Sequence, residues 1–216
     1  MRGVLVIWGA GGHGKVVLDI ARASGGFDRI VFLDDDPRLA GQEFCGCLVA
    51  GGVEELQRFA GSSFVVAIGE NRTRARCFQA AMESGLLAAT LIHPSAAVSP
   101  SAKIGDGTVV MPRAVVNADA IVGEDCIINT GAVVEHDCRI SPHVHVAPLV
   151  VLGGGAKIGQ LALVGAGAVV LPGAVVGEEA VVGAGAVVLK EAPAWSTVVG
   201  VPAQALAREG AQTKGR

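Results

Sequence analysis

Residues 162–188 read ALVGAGAVVLPGAVVGEEAVVGAGAVV, with an aliphatic residue at every sixth place: Val164, Val170, Val176, Val182 and Val188. Two places before each stands an alanine, from Ala162 to Ala186. Followed backwards, the same step lands on Ile158, Leu152, Val146, Ile140, Val134, Ile128, Val122, Val116, Val110, Ile104 and Val98. An α-helix turns every 3.6 residues and would scatter these side chains around its axis. A period of six instead fits a short strand with alternate side chains pointing inward, followed by a corner. Three such sides close one coil of about eighteen residues, and successive coils stack about 4.8 Å apart. Val98 to Val188 is then about five coils of a β-solenoid, with no insertion.

The composition suits a narrow, repetitive interior. Of 216 residues, 51% are hydrophobic but only 4% aromatic; Tyr is absent, and Val, Ala and 31 Gly supply the apolar mass. Mean hydropathy is positive, yet Gly, Pro and charged residues interrupt every run before the roughly 18 apolar residues of a membrane span. Met1-Arg2 leads directly into the apolar run Val4–Trp8 with no secretory signal pattern, so a cytoplasmic, soluble protein is expected. Five cysteines, including an unmatched Cys45-x-Cys47, imply neither a disulfide frame nor a zinc site. Cys126 and Cys138 fall on small interior positions of the repeat. A net charge of −3 argues against a nucleic-acid partner, which needs a broad basic face. It leaves room for a small anionic ligand.

Working outward, residues 1–92 have a different rhythm. Strands are expected at Val4–Trp8, Ile30–Leu33 and Phe64–Ile68, and helices at Val16–Ala23, Val53–Phe59 and Asn71–Ser84, with Leu86–Ile92 closing the set. Such alternation predicts a small α/β domain on a parallel sheet. Gly9-x-Gly11-x-x-Gly14 follows the first strand and opens a helix, and Asp34 lies twenty residues beyond Gly14. This is the dinucleotide fingerprint, but about ninety residues make only half of a Rossmann fold, which suits a mononucleotide better. The expected organisation is a half-Rossmann-like domain at 1–92, a parallel β-helix at 93–192, and a C-terminal turn and tail at 193–216. The period is expected to break at Ala194, with Gly200-Val201-Pro202 turning the chain away and a polar, mobile tail over 208–216.

The hexapeptide run, Val-Gly-Val-Pro-Ala at 199–203, Gly-Ala-Gly-Gly-His-Gly at 9–14 and Glu135-His136-Asp137-Cys138 together resemble the bacterial nucleotide-sugar N-acetyltransferases. These belong to the sialic-acid O-acetyltransferase-like family and acetylate amino sugars linked to UDP, dTDP or GDP, as in bacillosamine and perosamine synthesis. The resemblance implies a left-handed β-helix, a homotrimer, and acetyl-CoA bound between adjacent solenoids, with no metal.

Acetyl transfer to an amine needs a base for the proton and a donor for the oxyanion. His136 stands two residues past the inward Val134, near a corner, and matches the family's base. Asp137 matches the carboxylate that raises its basicity, with Glu135 as an alternative. One coil beyond His136 lies Gly154, where a backbone N–H could serve as oxyanion donor; the family places its donor there too. The resemblance assigns His145 to acetyl-CoA from a neighbouring subunit, and Gly165, Ala166, Gly183 and Ala184 to the pantetheine. Asn129 is a candidate holder of the substrate's amino group. Gly11, Gly12, His13, Asp34, Asp35 and Gly69 match the nucleotide-sugar contacts. Arg72, Arg74 and Arg76 could add positive charge or simply face solvent. His143 is expected to be exposed and idle, and His93 to end the domain junction. Competing readings are sugar O-acetylation, a zinc hydratase, an NAD-dependent reductase and a non-catalytic trimer.

Overall fold

A computed structural model describes residues 3–206; the expected tail at 208–216 lies outside them. The chain begins with four parallel strands, β1 (Val4–Trp8), β2 (Arg29–Leu33), β5 (Ser63–Val66) and β6 (Leu87–Ala88), in the order β2-β1-β5-β6. Between β2 and β5 a small hairpin, β3 (Glu43–Phe44) with β4 (Cys47–Leu48), precedes a 3-10 helix at Val53–Phe59. Helix α1 (Gly12–Ser24) buries Val17, Leu18, Ile20 and Ala21 on one side of the sheet. Helix α2 (Asn71–Glu83) buries Cys77, Phe78 and Ala81 on the other, against Val6, Trp8 and Phe64. Both faces of the sheet are therefore covered, which is why its strands are continuously apolar rather than alternating.

The solenoid is a three-sided prism of two-residue strands. Its first sheet contains Leu91–Ile92, Val109–Val110, Ile127–Ile128, His145–Val146, Leu163–Val164, Val181–Val182 and Thr197–Val199, closed by an antiparallel Gln204–Ala205. The second sheet carries Val133–Val134 and Val151–Leu152, the third Arg139–Ile140 and Lys157–Ile158. Pairing follows the eighteen-residue spacing, as in Val134 with Leu152 and Val146 with Val164. The second residue of each strand points inward: Val116, Val134, Leu152 and Val170 are fully buried, with Ala132, Ala156, Ala162 and Ala168 filling the corners. Corner residues adopt left-handed backbone at Arg113, Asp119, Asp125, Asp137, His143, Leu149, Leu161 and Glu179, and at Gly107, Gly131, Gly155 and Gly167.

Two boundaries differ from the periodicity reading. Leu91–Ile92 pairs with Val109–Val110 and so opens the solenoid, while Leu87–Ala88 stays with the first sheet of the N-terminal domain. At the other end two residues are dropped between Val188 and Glu191, so that Val175 pairs with Glu191. The coil nevertheless continues, and Thr197–Val198 stacks on Val181–Val182. The first side of the prism also meets the N-terminal domain: Leu91, Val109, Met111 and Ile127 share one apolar core with α1 residues Val17, Leu18 and Ala21.

Candidate active site

His136 and Asp137 occupy the corner between the second and third sheets of the prism. Asp137 has φ 61°, and this turn swings its carboxylate back so that Oδ2 lies 2.8 Å from His136 Nδ1. The hydrogen bond to Asp137 raises the His136 pKa above its ordinary value; the nearby Glu135 charge adds a smaller push. Glu135 itself is engaged elsewhere, since its Oε2 accepts from Asn117 Nδ2 at 2.8 Å. Of the two carboxylates left open by the sequence, Asp137 is thus the one bonded to the imidazole. Both partners are exposed, with side-chain accessibilities of 64% and 60%.

Gly154 stacks one coil away, and a Cβ there would stand 2.6 Å from His136 Nε2. The glycine leaves room for the imidazole. Its carbonyl accepts from Gly173 N–H, while among the described residues its own N–H has no backbone acceptor. Gly154 thus lies against His136 Nε2 with its amide uncommitted to the backbone.

Elsewhere the sequence-designated residues form a second group. His145 lies on the outward face of the first sheet, half-buried against the N-terminal domain. Its Nδ1 is 3.3 Å from the Gly69 carbonyl and its Nε2 is 3.0 Å from Asn129 Nδ2. Burial, with the Arg74 cation adding to it, lowers the His145 pKa to about 4. His13 is lowered to about 4 for the same two reasons, and its buried Nε2 has no hydrogen-bond partner. Asn129 is close in sequence to His136, but strand Val133–Val134 separates them and puts them on successive corners. Within one chain His136 and His145 therefore stand on different sides of the prism.

The glycine loop divides into two classes. A Cβ on Gly14 would meet the Gly9 carbonyl at 2.1 Å, and one on Gly9 the Ala67 carbonyl at 2.8 Å, so these two glycines serve packing. Gly11 and Gly12 face open space. Gly11 caps α1 without a side-chain bond, and no acidic residue occupies the first turn. By contrast Glu70 caps α2, accepting from Arg72 and Thr73 N–H. Of the two α-helices among the described residues, only α1 thus presents uncapped amides, the arrangement that receives phosphate. Asp34 braces the loop from within, because its two oxygens accept from Ala10 and Asp36 N–H at 2.8 and 2.9 Å and tie the loop to the end of β2. Asp35 Oδ1 accepts from Val53 N–H, and the residue borders a groove of about 350 Å³ with Trp8, Thr73, Arg76 and Cys77.

Gly165-Ala166 and Gly183-Ala184 are stacked on the corner between the first and second sheets. A Cβ on Gly165 would meet the Val182 carbonyl at 2.6 Å, and one on Gly183 the Val199 side chain at 2.7 Å, so coil stacking alone requires these glycines. Ala166 and Ala184 are exposed.

Several expectations are corrected. His143 is not idle at the surface: its Nδ1 lies 2.9 Å from Asp125 Oδ2, and its side chain is 12% exposed. Arg74 is fully buried rather than solvated, and it lies 3.3 Å from the same Asp125 carboxylate. Asp125 and Asn117 belong to no motif and escaped the sequence reading. Asp125 and His143 sit one coil apart on the same corner, so the eighteen-residue step that links His136 to Gly154 also links them. Arg72 remains exposed and pairs with Glu179. His93 accepts Ser95 N–H at its Nδ1 at the junction. No group of three His, Cys, Asp or Glu among the described residues is placed to hold a metal, and no helix among them is long and apolar enough to cross a membrane.

Fold and site together define a hexapeptide-repeat transferase scaffold carrying a nucleotide-type N-terminal domain. Residues 4–81 match the PglD N-terminal domain, and residues 101–136 and 155–190 match the bacterial transferase hexapeptide repeat. PerB from Caulobacter crescentus, solved with CoA and GDP-perosamine, is 40% identical with a TM-score of 0.90, over 96% of this chain and 99% of that one. The acetyltransferase domain of PglB from Neisseria gonorrhoeae, solved with acetyl coenzyme A, is 40% identical with a TM-score of 0.91, over 95% and 100%. A UDP-N-acetylbacillosamine N-acetyltransferase of Bacillus subtilis is 40% identical over 116 residues, which span 50% of this chain and 51% of that protein. The chain belongs to the hexapeptide-repeat N-acetyltransferases of nucleotide sugars.

Proposed function

We propose that the protein moves an acetyl group from acetyl-CoA to the amino group, at C4, of a nucleotide-linked amino-deoxysugar. The observation that carries this reading is the His136–Asp137 pair facing Gly154. His136 Nε2 takes the proton of the attacking amine as nitrogen bonds to the thioester carbon. Asp137 stabilises the imidazolium that forms. The Gly154 N–H donates to the carbonyl oxygen as it gains charge. Collapse of the tetrahedral species releases CoA as its thiolate, and the new amide remains on the sugar.

The acceptor nucleotide lies on the N-terminal domain, its phosphates at the open amides of Gly11, Gly12 and His13 and its base and ribose near Asp35. The named ligands of the two solved relatives, a GDP sugar and acetyl-CoA, support this pairing of substrates. CoA follows the small residues Ala166 and Ala184 along their corner. Because His136 and the His145–Asn129–Gly69 group stand apart within one chain, a complete site draws them from neighbouring chains of a homotrimer. The second sheet supports this: its outward column is Ala97, Val115, Val133, Val151, Val169 and Val187, while the third mixes Lys103, Arg139, Lys157 and Glu191 with Ile121 and Val175. A wholly apolar ladder suits a subunit contact better than one interrupted by charges. Both co-substrates are cytoplasmic metabolites, and the reaction is placed there.

The direct test is incubation with acetyl-CoA and a panel of UDP-, dTDP- and GDP-linked 4-amino sugars, following free thiol. Release with at least one amine, and none with its hydroxyl counterpart, is expected. Release with the hydroxyl sugar alone would replace N- by O-acetylation, and silence across the panel would defeat the reading.

A further inference from the structure

Arg74 is the largest fully buried side chain of the described residues, and it takes no part in the transfer steps. Its guanidinium is shared among three segments. Nε donates to the Asp125 carbonyl at 3.0 Å and Nη2 to the His143 carbonyl at 2.7 Å, two corners one coil apart. Nη1 donates to the Ile68 carbonyl at 3.2 Å and to Asn71 Oδ1 at 2.9 Å, and reaches the Gly69 carbonyl at 3.5 Å. Asn71 Nδ2 extends the clamp to the Leu161 and Ala162 carbonyls. One cation thus fastens the turn after β5 to the solenoid.

That turn ends on the carbonyl facing His145. Hydrogen-bond logic then fixes the ring. Asn129 Oδ1 accepts from Thr130 N–H at 2.8 Å, so the amide must present Nδ2, a donor, to His145 Nε2. Nε2 is therefore the unprotonated nitrogen, and Nδ1 carries the hydrogen that Gly69 accepts. Burial and the charged groups around this ring, Arg74 and, when protonated, His13, oppose a charge on it and outweigh the Gly69 carbonyl, whose hydrogen bond favours one. Burial disfavours charge on Arg74 and on Asp125 alike, which makes each dependent on the other.

We propose that Arg74 is a positioning residue for acetyl transfer, holding the Gly69 carbonyl where it fixes His145 as the Nδ1–H tautomer, with Nε2 an acceptor aimed at the substrate side. This rests on the reading of His145 as part of the transfer site. In that role His145 receives a hydrogen bond, from Asn129 in the free protein and from the substrate amine when it displaces Asn129. It does not donate to the thioester oxygen, which leaves the oxyanion to Gly154.

The test is histidine nitrogen NMR on the intact protein, with His145 assigned by its loss in His145→Gln. The expected wild-type result is a pyrrole-type Nδ1, a pyridine-type Nε2 and no titration until close to pH 4. An Nε2–H tautomer, or titration near pH 6.5, overturns the proposal using the wild type alone. Arg74→Met, which removes the cation, is expected to mix the tautomers and raise the titration by about one unit or more. It is also expected to lower kcat/KM for acetyl-CoA by roughly 10- to 100-fold. Arg74→Lys keeps the charge without the fork, so the titration stays low while the tautomers mix. Folded variants with wild-type His145 spectra also overturn it. The spectra need no substrate, so failure of the sugar panel would defeat the functional reading without touching this result.

Discussion

Gly154 and His136 share one small volume across a coil, because a Cβ at position 154 would stand 2.6 Å from His136 Nε2. The Gly154 backbone is not left-handed, and the nearest atoms it would meet all belong to an exposed imidazole. Gly154→Ala is therefore expected to fold with an unchanged melting temperature and to lose about 100-fold in kcat, as the ring is pushed aside. Gly165→Ala is the contrasting control. Its Cβ would meet the Val182 carbonyl at 2.6 Å, so differential scanning calorimetry should show a loss of about 1–3 kcal/mol.

Asp137 raises the His136 pKa, so the imidazole gives up its proton at a higher pH than an ordinary histidine. Replacing the carboxylate lowers that pKa, and the acid limb of kcat/KM should move to lower pH in Asp137→Asn. The plateau should fall as well, since the imidazolium loses its stabilising partner. Asn tolerates the left-handed backbone at 137, so folding is preserved. His136→Ala should remove about 100- to 10,000-fold of the rate. A pH–rate profile for each variant decides the matter, and an acid limb moving upward in Asp137→Asn would contradict the assignment.

Gly11 and Gly12 face open space, so a side chain there costs the apo fold little and obstructs what the loop binds. Gly12→Val is expected to raise KM for the nucleotide sugar by about tenfold or more, with KM for acetyl-CoA unchanged. Asp34→Ala should do likewise by freeing Ala10 and Asp36 N–H, each of which one Asp34 oxygen holds. Equal rises in both KM values would show that the two sites are not separable in this way.

Val133 and Val151 stack on the outward apolar column of the second sheet. If neighbouring chains share the proposed site, Arg at both positions should yield monomers in analytical ultracentrifugation, with acetyl transfer lost. A folded, monomeric and fully active double variant would place the whole site within one chain.

Much of the fold was legible because the hexapeptide code is local. Each aliphatic residue at every sixth place enters the prism, and the eighteen-residue step alone brings Gly154 onto His136. It would equally have paired Asp125 with His143. That second pair was overlooked because a corner residue reads as solvated until one knows what covers it.

What covers it is decided by tertiary structure. The repeat states that a side chain points outward, but outward from the first sheet means into the N-terminal domain. There α2 brings Arg74, Asn71 and Phe78 against the corners at Asp125, His143 and Leu161. Burial then turns an ordinary arginine into a clamp and lowers the pKa of two ordinary histidines, His13 and His145, to about 4. The sequence by itself determined the coil, its register and the His136 corner, because neighbours in a solenoid lie a fixed number of residues apart. Only the packing of two domains decided which polar residues lost water, since desolvation depends on partners distant in the chain.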